Sequence, residues 1–142
     1  MTSIEPEVLD RLVASAREIR ANAYAPYSGF HVGAALLAGA EVFAAVNVEN
    51  ASYPMCVCAE QNAVAMAVAA GAASGARAIA VVTDADTPTP PCGGCRQVLY
   101  EFGGAGLAVI AESADCSVRT MWSLDELLPD AFGPNDLEPP QR

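Results

Sequence analysis

The residues best equipped for chemistry are cysteines in two close pairs, Cys56–Cys58 and Cys92–Cys95, with Glu60 just after the first pair. Cys92-Gly93-Gly94-Cys95 opens a helix-like run. A CxxC at such a place can clamp a metal, cycle as a dithiol, or simply pack, and the spacing alone does not choose. Cys58 begins another helical run, and helix N-termini carry partial positive charge that favours thiolates. Cys58, Cys92 and Cys95 can thus supply three thiolates from two helix ends, while a catalytic zinc keeps its fourth position for water. Glu60 falls in a first helical turn, where an acid commonly serves the helix dipole. Beside a metal-activated water the same carboxylate can act as base and proton shuttle.

The surroundings of these residues narrow the choice. A chain of 142 residues, 53% hydrophobic, predicts a single domain over 1–142 with a sizeable core. The formal net charge is -10, and all seven basic residues are scattered arginines. Polynucleotide binding needs clustered cations, so DNA and RNA strands are excluded as partners, and anionic membranes are disfavoured. No apolar run reaches the roughly 18 residues of a membrane span. The acidic start MTSIEPEVLD lacks the features of a signal peptide, which predicts a cytoplasmic protein. Five cysteines, an odd count, in a reducing compartment argue against a disulfide framework.

Helical spacing of Val8, Leu12, Ala16 and Ile19 predicts a first helix over 5–23, with Pro6 in its first turn. Strands are expected at 30–37, 41–46, 77–83, 107–112 and 118–121, and helices at 58–70, stopped by Gly71, and 92–102. Ser123 and Glu126 form a capping-box pattern for a last short helix. The proline- and acid-rich tail from Gly133 is expected to be extended or frayed. Helices alternating with short strands predict an α/β fold, a three-layer α/β/α domain with a mixed sheet of about five strands.

Cys58-Ala59-Glu60 followed by Pro91-Cys92-Gly93-Gly94-Cys95 matches the zinc deaminase signature in its three-cysteine form. YSGFHVGAALL (27–37), NVENASYP (47–54), CAEQNAVAMAV (58–68), PCGGCRQVLYEF (91–102) and LLPDAFGP (127–134) resemble the small cytidine deaminases, in order and over nearly the whole chain. The resemblance implies one zinc per chain on Cys58, Cys92 and Cys95, zinc-bound water as nucleophile, and Glu60 as proton shuttle. It implies that Phe30 flanks the pyrimidine, that Asn47 and Glu49 bind the ribose 3′-hydroxyl, and that the Ala59 backbone reads the base. Tyr53 and Phe132 would reach into a neighbour's site in a homotetramer. The implied reaction is hydrolytic deamination of cytidine and 2′-deoxycytidine in pyrimidine salvage. Asn47 and Glu49, two apart on an extended segment, can face one pocket.

The chain departs from the family pattern in places. Gln61 stands where many three-cysteine members have arginine, and zinc with three thiolates is formally anionic. Arg96, after Cys95, is therefore expected to supply compensating charge together with helix-end amides. His31, the sole histidine, stands where the family often has proline and reads as a solvated or packing residue. Cys56 and Cys116 read as packed apolar residues, and Trp122 as core or interface.

Three other functions compete. A deaminase of modified cytidines or of a nucleoside antibiotic such as blasticidin S keeps fold and zinc, although Asn47-Val48-Glu49-Asn50 favours an ordinary ribose. A CxxC redox protein leaves Cys58 and Glu60 without a role. A structural zinc module needs four protein ligands.

Overall fold

The computed structural model describes residues 3–137. The helix expected over 5–23 is α1 (Pro6–Ile19), continued by a 3-10 turn at Arg20–Asn22. Strands follow as β1 (Val32–Ala38) and β2 (Glu41–Val46), then helix α2 (Ala59–Ala69), β3 (Ala76–Thr83) and helix α3 (Gly93–Gly103). The chain closes with β4 (Ala108–Glu112), β5 (Arg119–Ser123) and the single-turn α4 (Leu124–Leu127), whose capping box of Ser123 and Glu126 is formed. The first strand begins two residues later than expected, because residues 28–31 are held by side chains and not by a ladder. The tail differs as well. Pro134–Asp136 forms a 3-10 turn, and the Gly133 amide donates to Asp136 Oδ2 at 2.7 Å. Residues beyond Leu137 lie outside the described residues.

The strands form one mixed sheet in the order β2-β1-β3-β4-β5. Only β3 and β4 are parallel; the other neighbours are antiparallel. Side chains alternate across the sheet and divide the core into two layers. Ala35, Leu37, Ala78, Ala80, Val82 and Ile110 pack under Leu12, Val13 and Ala16 of α1. Ala34, Leu36, Ile79, Val81 and Val109 pack on the opposite face with Ala63, Val64 and Ala67 of α2 and Leu99 of α3. The result is the three-layer α/β/α architecture that the alternation of elements predicted. Alanine dominates the facing positions, which lets helix and sheet backbones approach closely.

The tightest approach is at Gly33. A Cβ there would stand 2.0 Å from the Ala16 carbonyl oxygen and 2.9 Å from the Arg20 amide nitrogen, both backbone atoms that cannot swing away. Gly33→Ala must separate β1 from α1. A loss of about 3 kcal/mol is expected, read as a fall in Tm on the order of 10 °C. An unchanged melt would mean that α1 slides freely over the sheet.

The register decides where the site lies. Gly33 pairs with Val46 and Val32 with Thr83, so the start of β1 and the ends of β2 and β3 meet at one end of the sheet. The chain leaves β2 and β3 at that end, and both α2 and α3 begin after them. Two helix N-termini therefore face one crevice outside the carboxyl ends of these strands.

Candidate functional site

Cys58 occupies the N-cap position of α2 and Cys92 that of α3, both with extended backbone, while Cys95 lies inside the first turn of α3. The helices start there for local reasons. The Cys58 carbonyl accepts from the Asn62 amide at 3.1 Å and the Cys92 carbonyl from the Arg96 amide at 3.0 Å. The proline-rich segment before Cys92 ends at the fully buried Pro91. A two-way bond between Val48 and Val57, each amide to the other's carbonyl at 3.0 Å, fixes the approach to Cys58.

These placements gather the three sulfurs within 4.8 Å of one another, and no fourth His, Cys, Asp or Glu joins the group among the described residues. Three thiolates about 2.3 Å from one tetrahedral ion stand about 3.8 Å apart, so the cluster fits a zinc ion with one coordination position left over. Proton sharing says the same. Hydrogen bonds from Cys95 and, less, from Cys92 outweigh burial and lower the Cys58 thiol to about 6. Cys95, donating to Cys58, buried, and near Glu60, is pushed far up. Protons bridge the sulfurs where a divalent cation fits.

Glu60 is 5% exposed, and burial pushes its carboxyl up to about 7. A hydrogen bond at its own backbone opposes this shift, and the negative charge at Cys58 reinforces it. A carboxyl poised near neutrality is suited to take up and release protons. Gln61 donates from Nε2 to Cys95 Sγ at 3.6 Å and so gives this sulfur a hydrogen-bond donor. Arg96 binds two backbone carbonyls. Its Nε donates to the Pro91 carbonyl at 2.7 Å and its Nη1 to the Leu127 carbonyl at 2.6 Å.

A cavity of about 330 Å³ opens beside the cluster, within the range of small-molecule sites. Phe30, Asn47, Glu49, Ala59 and Glu60 line it together with Cys58 and Cys92. Asn47 and Glu49 do face one pocket. Both also brace its wall: Asn47 Oδ1 accepts from the Val32 amide at 2.9 Å and Nδ2 donates to the Phe30 carbonyl at 2.8 Å. Glu49 accepts from the Tyr27 amide at 2.9 Å and from the Ser28 amide at 3.1 Å and hydroxyl at 2.5 Å. The hydroxyl and amide of Ser28, more than the Tyr27 amide, hold its carboxyl below the usual carboxylate range. Tyr53 and Phe132, 69% and 59% exposed, do not line this cavity.

Cys56 and Cys116 correct the sequence reading. Cys56 is exposed, lines the cavity, and accepts the Asn50 amide at 3.3 Å. A turn at 53–55 holds it out of the core. Cys116 is exposed in the turn between β4 and β5 with φ 65, so it has no core to pack into. Trp122 packs half-buried against the core layer beneath α2 and α3. Thr83 and Thr89 of the cavity wall were not foreseen, since single threonines carry no spacing signal.

Residues 6–111 match the model of the cytidine and deoxycytidylate deaminase zinc-binding region. A cytidine deaminase of Sporosarcina psychrophila is 40% identical over 91% of this chain and 94% of its own length. One from Halalkalibacterium halodurans is 42% identical over 89% and 95%. The crystal structure of cytidine deaminase from Burkholderia pseudomallei superposes with a TM-score of 0.82 at 46% identity, covering 87% of this chain and 98% of the other.

Proposed function

Because the chain belongs to the cytidine and deoxycytidylate deaminase family, we propose that it is a zinc-dependent cytidine deaminase that hydrolyses cytidine and 2′-deoxycytidine to uridine and 2′-deoxyuridine. Water enters at C4, ammonia leaves, and the reaction serves pyrimidine salvage. The observation that carries this reading is the gathering of Cys58, Cys92 and Cys95 within 4.8 Å beside a buried Glu60 and a cavity of nucleoside size.

Cys58, Cys92 and Cys95 hold one zinc ion per chain. When bound, zinc supplies Lewis acidity that activates the attacking water. Glu60 takes the proton of that water, gives it to N3 of the base, and then helps protonate the departing amine. Its burial keeps this proton from exchanging freely with solvent. Phe30 covers a face of the pyrimidine, and the Ala59 amide, at the start of α2 where helix amides lack an intrahelical acceptor, reads the polar edge of the base. Asn47 and Glu49 bind the ribose hydroxyl with the hydrogen-bonding capacity left over from bracing the wall. Gln61 stabilises the thiolates directly. Arg96 does so by its charge near the helix start and by fixing the Pro91 carbonyl before Cys92.

The assembly is a homotetramer with shared sites, in the cytoplasm. Exposed Tyr53, Met55 and Phe132 support this, as does α2, which is apolar on its exposed side at Met66 and Val68 as well as on its buried side. No described helix is long and apolar enough to cross a membrane.

Among the described residues, those lining the cavity include two carboxylates and no basic side chain. A neutral nucleoside is therefore the substrate, and a 5′-monophosphate is repelled. The test is metal analysis together with a panel of cytidine, 2′-deoxycytidine, cytidine 5′-monophosphate and blasticidin S, followed by absorbance. Turnover of the first two, zinc near one per chain, and kcat/KM at least about a hundredfold lower for the monophosphate are expected. Activity confined to blasticidin S, or a metal-free protein with full turnover, would refute the reading.

A further inference from the structure

We propose that His31 and Asp84 form a clamp that positions Phe30 in the cavity wall, so that cytidine binding depends on this pair. The inference rests on the cavity taking cytidine.

Phe30 precedes β1, and no ladder holds it. Gly29, with φ +67, turns the chain into residues 30 and 31. From there side chains hold the backbone. Ser28 Oγ accepts the Phe30 amide at 3.0 Å, and Asn47 grips the Phe30 carbonyl and the Val32 amide. The intervening residue is held from the other side. Asp84 Oδ2 accepts the His31 amide at 2.8 Å and contacts His31 Nδ1 at 2.7 Å. One carboxylate oxygen thus pins both backbone and side chain of the residue next to Phe30.

Asp84 is itself anchored. It directly follows Thr83, whose side chain lines the cavity and whose carbonyl accepts from Arg20 Nη1. Arg20 Nε lies 4.0 Å from Asp84 Oδ1. The charged groups acting on the imidazole are therefore Asp84, with Arg20 behind it, and Glu49 across the segment, whose carboxyl His31 helps to lower. Burial raises the Asp84 carboxyl, but the amide and ring of His31, with Arg20, outweigh this and keep it below the usual range. The acid end of the clamp therefore stays charged.

Both bonds from His31 go to an ionised acceptor. Charge-assisted bonds are roughly twice as strong as neutral ones. The device therefore stiffens the wall that Phe30 presents to the cavity. Because His31 acts through Phe30 and does not itself line the cavity, it should govern KM and leave the chemical step alone.

The experiment measures KM and kcat for cytidine at neutral pH in the parent, His31→Ala, His31→Arg and Asp84→Asn, with thermal melts alongside. In His31→Ala the KM is expected to rise about tenfold, with kcat within about twofold. His31→Arg, which keeps a side-chain donor for Asp84, should restore a low KM. Asp84→Asn should match His31→Ala, and combining the two should add little. A KM in His31→Ala equal to the parent's overturns the proposal, as does a fall in kcat that tracks the KM change. If Asp84→Asn does not fold, the two His31 variants carry the test. If the parent itself does not turn over cytidine, the functional reading fails and this inference with it, a result distinct from an active parent with indifferent variants.

Discussion

Glu60→Gln lowers kcat for cytidine by about 10²–10⁴-fold without lowering thermal stability. Glutamine keeps the volume and one acceptor but cannot take a proton from water and hand it on. The stability half follows from burial. Glu60 is 5% exposed and its carboxyl is pushed up to about 7, so the folded state resists its ionised form. A neutral amide removes that burden, and the variant should melt at or above the parent. Single-turnover kinetics and a thermal melt check both halves. Parental turnover would move the proton-transfer role to another group, and an unfolded variant would make Glu60 a structural residue.

Arg17→Gln/Arg119→Gln should be the most destabilising change outside the packed core, losing about 3–5 kcal/mol near neutral pH. Glu112 ends β4 and is 3% exposed. It accepts from Arg17 Nε at 3.1 Å and Nη2, and from Arg119 Nε at 3.2 Å and Nη2 at 3.0 Å. Arg119 reaches on to Asp10 of α1 at 2.7 Å. One carboxylate thus ties α1 to the edge of the sheet. Burial raises the Glu112 carboxyl, but the Arg17 and Arg119 hydrogen bonds outweigh it and the net shift is downward. The stability it contributes is full above the ordinary carboxylate range and is lost as pH falls through the lowered value. Each single variant leaves one arginine in place and should cost clearly less than half of the double. Without both, burial alone governs, and the charge is a liability that protonation relieves. The deficit of the double variant should therefore be largest near pH 7 and shrink toward about pH 4. An equal deficit at both would assign the effect to packing of the arginine stems.

The readable part of the site is the part made from short-range chemistry. The N-cap positions of Cys58 and Cys92 and the first-turn place of Cys95 follow from helix signals within a few residues of each. The alternation of helices with short strands predicted the three layers, and a helix following each of β2 and β3 implied two N-termini at one end of the sheet. Glycine and proline marked the breaks, at Gly71 and at the segment before Cys92. None of this needs the partner strand to be known, because local sterics and hydrogen bonding set helix starts and side-chain alternation.

The shape of the wall around the cluster was decided by tertiary structure. Asn47 bonds backbone 15 residues away, Glu49 reaches 22 residues to Tyr27, and Asp84 reaches 53 to His31. Side chain to backbone bonds across such separations have no period, so no pattern along the chain announces them. The same reason explains Arg96, whose head finds the Leu127 carbonyl 31 residues on, and Cys56, which a turn and Asn50 hold at the cavity and out of the core. The sequence alone determined which atoms can bind metal and move protons. Folding decided which backbone those same polar residues would hold in place, because only the packed sheet brings the start of β1 beside the ends of β2 and β3.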